Sequence, residues 1–141
     1  MNATLLYRIA AVLLVLFTLG HTIGFLHFVA PTPEARAVHD AMYGVTFLAQ
    51  GSTRTYGAFY EGFGLNVSVY LVFSVFLAWH LGQLARTRPE AIGWLGWAFC
   101  TTQIAGLVLA WIYFFIVPVI FSALVALCLG AAAWLVRKPL A

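Results

Sequence analysis

From Ile92 to Val136 the chain runs for 45 residues without a Lys, Arg, Asp or Glu. A helix rising 1.5 Å per residue crosses a hydrocarbon core in about 20 apolar residues. A stretch this long therefore predicts two spans. The break falls near Phe115 to Pro118, because proline suits the first turn of a helix and disfavours helical backbone in the residue before it. Two earlier stretches qualify as well: Leu5 to Val29, with Arg8 and His21 inside it, and Phe59 to Leu84. The first is too long for the apolar region of a cleaved signal peptide and is predicted to stay as a helix. The expected fold is all-α: one integral membrane four-helix bundle over residues 1–141, with spans at about 5–29, 59–84, 92–115 and 118–136.

Composition excludes the alternatives. Charged residues make up 8% of the chain and hydrophobic ones 64%, against about 25% charged in soluble domains. That leaves too little polar surface to cover a water-soluble globule. A net charge of +3 is too dilute for the clustered basic footprint of a nucleic-acid binder. Cys100 and Cys128 sit in apolar runs without C-x-x-C spacing, so neither a redox pair nor a zinc ribbon is expected.

Orientation follows the distribution of basic residues near the span ends. Arg8, Arg86, Arg88, Arg137 and Lys138 fall on one side, and Arg36 and Arg54 on the other. This places both termini in the cytoplasm and the first loop outside. Within that loop an interfacial helix is predicted at about 33–49, with Thr32 as cap, Pro33 at its first position and Glu34 in its first turn. Val38, Met42 and Val45 give it an apolar face, and Gly51 is expected to end it. Ser52 and Thr53 are the expected caps of the helix leading into the second span.

Lipid offers no hydrophobic drive between helices, so small residues mark where backbones approach. The candidates are Gly20 and Gly24 on the first span; Gly57, Gly64 and Ser68 on the second; Gly96, Gly106 and Ala110 on the third; and Ser122, Ala126 and Gly130 on the fourth. They serve bundle packing, and the same pattern would serve a homo-oligomer or a partner in a membrane complex.

Ionisable groups at membrane depth are costly, and each invites a functional reading. His21, Glu61 and His80 are the candidates, with His27 near the outer boundary and Asn66, Gln103, Thr101, Thr102 and Tyr113 as polar companions. His21 lies eight residues before Val29, about 12 Å below that end by helix rise. Glu61 and Asn66 approach from the same side, and Tyr113 closes the layer from the third span. His21, Glu61, Asn66, Tyr113 and His27 therefore form the candidate ligand-binding set. A Glu61 carboxylate facing an imidazole would suit acid–base chemistry, or would simply fix helix register. His80 belongs to the opposite leaflet, so His21 and His80 do not make a bis-histidine haem site. His21 or His27 with His39 stays open for haem or a metal, and the cofactor is left unassigned.

Two motifs carry a resemblance: Gly20, His21 and Gly24 in G-H-x-x-G, and Phe59 to Val69 in F-Y-x-G-F-G-x-x-V-S-V, preceded by Ala41, Met42 and Gly51. Across residues 20–85 the chain resembles a family of small, uncharacterised bacterial four-helix membrane proteins, which implies a fold and no particular activity. It is similar in length, span count and long first loop to the membrane-embedded glutathione transferases and eicosanoid synthases. Arg54, Glu61 and Asn66 nevertheless lack the spacing of that family's Arg, Asn and Glu. Vitamin K epoxide reductases are similar as four-helix bundles, but their paired cysteines have no counterpart. Two functions follow as expectations: a non-enzymatic bundle that binds lipid or a lipophilic ligand or serves as an accessory subunit, and an enzyme acting on a lipophilic substrate through His21 and Glu61.

Overall fold

The computed structural model describes residues 2–137; Lys138, counted above for orientation, lies outside the described residues. Four helices are long and apolar enough to cross a membrane: α1 (Ala3–Leu26), α3 (Tyr56–Thr87), α4 (Leu95–Tyr113) and α5 (Ile116–Arg137). A shorter helix, α2 (Pro33–Gly44), and a hairpin of β1 (Thr46–Ala49) and β2 (Ser52–Thr55) connect the first two.

The chain is all-helical apart from this short hairpin, which corrects the expected course of the first loop. The interfacial helix does not reach residue 49: it stops at Gly44, with Val45 in extended backbone. The chain then pairs antiparallel, Thr46 opposite Thr55 and Ala49 opposite Ser52. Gln50 and Gly51 both take positive φ, 49° and 83°, as a two-residue primed turn requires. Gly51 thus turns a hairpin instead of ending a helix. Four consecutive residues of Thr46–Ala49 and the run Ser52–Thr55 carry the β-branched and aromatic residues that favour extended pairing. Ser52 and Thr53, expected as caps, are strand residues, and Thr55 Oγ1 receives the Ala58 N–H at 3.0 Å instead.

At its other end α2 starts as its sequence dictates. Thr32 has extended backbone, its hydroxyl accepts from Ala35 N at 3.2 Å, and proline occupies the first turn. Hydrogen bonds from its own backbone and from Thr32 hold the Glu34 carboxyl below its ordinary range. Of the expected apolar face, Val38 and Val45 are exposed and Met42 is half-buried, as are Ala35, His39 and Tyr43.

Contacts divide the chain into two compact units, one holding the described residues up to Thr18 and from Leu71 onward, the other Leu19–Tyr70. The first contains the apolar core. Leu6, Tyr7, Ala10 and Leu14 of α1, Leu71, Ala78 and Leu81 of α3, Phe99 of α4 and Val125 and Leu129 of α5 are all within it. Small residues set the packing distances: a Cβ on Gly96 would stand 2.6 Å from the Tyr7 hydroxyl, and one on Gly130 3.3 Å from Cys100 Sγ. Between α3 and α4, Pro89–Ile92 forms a single 3-10 turn that buries Ile92, so α4 begins at Leu95, three residues later than expected. Pro118 lies in the first turn of α5.

Candidate functional site

In the unit Leu19–Tyr70, polar groups and rings replace buried apolar side chains. His21 Nε2–H donates to the Gly64 carbonyl at 3.1 Å, and the Thr22 hydroxyl donates to Ser68 Oγ at 2.9 Å. Both bonds join α1 to α3. They can form because Gly64 has no side chain: the Phe25 ring tip sits where a Cβ would stand. Phe25 in turn stacks with His21, centroids 5.9 Å apart at 11°, and tilts against Tyr60 at 5.2 Å. The glycine and serine of the F-G-x-x-V-S segment are thus the α3 side of a four-residue clasp.

A second clasp holds α2. The Tyr43 ring covers Gly57, where a Cβ would be 2.6 Å away, and its hydroxyl donates to Glu61 Oε1 at 3.1 Å. Desolvation raises the Tyr43 phenol above its ordinary value, and the Glu61 carboxylate adds to the rise. His39 lies between Phe28, at 6.5 Å, and Tyr43, at 4.9 Å. Its Nδ1 is 3.6 Å from Asp40 Oδ1. Phe47 of the hairpin meets Tyr56 and Phe59, tying β1 to the start of α3.

The sequence-predicted set is therefore split. His21 and Glu61 share this unit, but each makes its hydrogen bond elsewhere, the one to Gly64 and the other to Tyr43. Depth had suggested their approach; rotation about the helix axes gives them different neighbours. His27 Nδ1–H returns to the Ile23 carbonyl of its own helix at 3.0 Å. Asn66 is exposed. Tyr113 is 73% exposed and belongs to the other unit. Tyr43 and Phe25 were not among the sequence candidates, although the glycines they cover, Gly57 and Gly64, were.

The bonding of His21 limits its chemistry. A neutral ring that donates from Nε2 keeps only Nδ1 as a base, and no carboxylate is bonded to that atom among the described residues. Nor do three or more His, Cys, Asp or Glu side chains gather into a metal-holding group among them. A shallow groove of about 380 Å³ opens beside the Pro31–Pro33 turn, with Arg36 and Asp40 on its wall. It contains no member of the predicted set.

The glycines of α1 behave differently from those of α3. A Cβ on Gly20 or on Gly24 would meet nothing within 4 Å, and the neighbouring Leu19 and Ile23 are 53% and 57% exposed. This stretch of α1 offers a bare, apolar, small-residue face. Comparison with known protein families, with characterised proteins and with solved structures finds no match for the chain.

Proposed function

We propose that the chain is a non-enzymatic, multi-pass membrane protein whose outer half presents α1 to a lipophilic ligand, a lipid chain above all. The observation that carries this reading is the open Gly20–Gly24 face beside a clasp whose polar groups are already paired. A lipid chain can lie closely against a helix where side chains are absent, gaining dispersion contacts along its length. The acid–base alternative needs a coupled His21 and Glu61, and their bonds to Gly64 and Tyr43 disfavour it. A second copy or a partner subunit is the other occupant that such a face fits.

Photo-crosslinking with a phospholipid carrying a diazirine on its acyl chain tests the reading. The wild-type protein should be labelled within residues 19–24, and Gly20→Leu with Gly24→Leu should remove most of that label without loss of folded protein, since both side chains have room. Unchanged labelling would overturn the lipid reading. Crosslinks from residue 20 to a second copy would replace it with an oligomer.

The family resemblance in G-H-x-x-G and F-Y-x-G-F-G supports placement in a bacterial inner membrane, and the basic residues support cytoplasmic termini. Cysteines placed singly at Ser52 and Thr87 test the orientation with an impermeant thiol reagent. Labelling of position 52 alone in intact cells is expected; labelling of position 87 alone would reverse it.

A further inference from the structure

Arg8, Arg86, Arg88 and Arg137 all belong to the unit that holds the apolar core, where Glu90 is the one acidic side chain among the described residues. None of the four guanidinium groups has a hydrogen bond or ion pair among the described residues. Two are laid over indole rings: Arg137 Cζ is 4.0 Å from the Trp94 centroid and 5.8 Å from that of Trp97, and Arg8 Cζ is 5.4 Å from that of Trp79.

A ring face attracts the cation but accepts none of its five N–H donors in the plane of the group. Arg137 is therefore held in place with its donors still available. Beside it, the Trp97 indole N–H is enclosed and has no acceptor among the described residues. The Arg137 guanidinium, held against two tryptophans with its donors free, calls for an acceptor rich in oxygen and negatively charged. A phosphate meets this need, since guanidinium groups bind its oxygens with paired hydrogen bonds.

We propose that Trp94, Trp97 and Arg137 form a headgroup site for an anionic phospholipid at the cytoplasmic end of the bundle. Tryptophan in a membrane-spanning chain sits at headgroup level, which brings lipid phosphates to this position. The surplus of arginine over the single Glu90 in this unit selects the class: a zwitterionic headgroup would bring an ammonium group toward Arg137, whereas a phosphatidylglycerol brings none. The site rests on the membrane-spanning reading and is independent of the outer α1 face.

Native mass spectrometry of the detergent-purified protein with equal amounts of phosphatidylglycerol and phosphatidylcholine tests it. Wild-type protein should retain phosphatidylglycerol over phosphatidylcholine by about fivefold or more, the ratio that one basic residue near an anionic surface confers. Arg137→Gln should bring the ratio below about twofold, and Arg36→Gln with Arg54→Gln should leave it unchanged. Equal retention of the two lipids by wild type, or a preference that survives in Arg137→Gln, would overturn the site. So would an equal loss in the Arg36/Arg54 double variant, which would make the preference a matter of net charge.

Tryptophan emission of the unaltered protein gives a readout that does not depend on any variant folding. It should shift with phosphatidylglycerol and remain still with phosphatidylcholine or inorganic phosphate; an equal response to inorganic phosphate would overturn the lipid assignment. A chain that stays dispersed without detergent would overturn the membrane reading itself, whereas a detergent-dependent chain without lipid preference overturns this site alone.

Discussion

The two units of this chain are held by different forces. In the unit with the apolar core, Tyr7, Leu14, Leu81, Val125 and Leu129 are fully buried and interlock across α1, α3 and α5. In Leu19–Tyr70 the only buried residue is Gly57. There, helices are joined by His21 to Gly64, Thr22 to Ser68 and Tyr43 to Glu61, with rings laid on glycines. Close packing gives a unit whose stability is spread over many contacts. Clasps concentrate stability in a few directional bonds, each worth about 0.6 and at most about 1.7 kcal/mol between membrane helices. The clasped unit is therefore the one expected to open first and to respond to single polar substitutions.

Leu14→Ala should show the largest effect, since it empties a fully buried position in the core unit. A loss of about 2–5 kcal/mol is expected in reversible unfolding from mixed micelles; a loss no larger than that of a clasp variant would erase the contrast between the units. Gly64→Ala comes next. Its Cβ would take the place of the Phe25 ring tip, and moving that ring breaks its contacts with His21 and Tyr60. Overpacking of this kind costs about 1–3 kcal/mol. Gly24→Ala, with open space around it, should instead leave stability unchanged or raise it by up to about 1 kcal/mol through helix propensity. Parallel thermal melts of the two alanine variants compare the two glycine faces directly.

Tyr43→Phe removes one bond between partly exposed groups and should cost about 0.5–1 kcal/mol. The same bond predicts a pH dependence. Tyr43 titrates above its ordinary value of 10.0, so the folded state keeps a proton that the unfolded state has lost. Its contribution is complete below pH 10 and is lost as the pH rises through the higher folded value. A phenolate absorbance titration that places Tyr43 at or below 10 would contradict the desolvated, Glu61-bonded hydroxyl. The smallest effect belongs to Gln50→Asn. It replaces a residue strained at φ 49° by one that tolerates left-handed backbone, and should stabilise the hairpin by a few tenths of a kcal/mol.

The long helices were legible because an uncharged run of 45 residues between Ile92 and Val136 leaves few other solutions, and the proline break fell within three residues of the observed gap. The hairpin was not. Thr46–Thr55 continues the apolar spacing of α2, and its turn is Gln-Gly, where the familiar signal is Asn-Gly or Asp-Gly. Of the site, the small positions Gly57, Gly64 and Ser68 were legible as a packing stripe. What covers them was hidden, since a glycine announces a close approach without naming the ring that makes it. His21 and Glu61 were grouped by depth, a quantity the sequence supplies. Their separate partners depend on helix rotation and on α2 delivering Tyr43 to Glu61, neither of which the sequence supplies.

Hydrogen–deuterium exchange of wild-type and His21→Ala protein in lipid nanodiscs tests the contrast most directly. Loss of the Gly64 bond should speed uptake in residues 27–55, the part of the clasped unit outside the long helices, and leave α4 and α5 as slow as in wild type. Acceleration spread evenly over both units, or none in residues 27–55, would show that His21 is not a clasp and that the two units are not held differently.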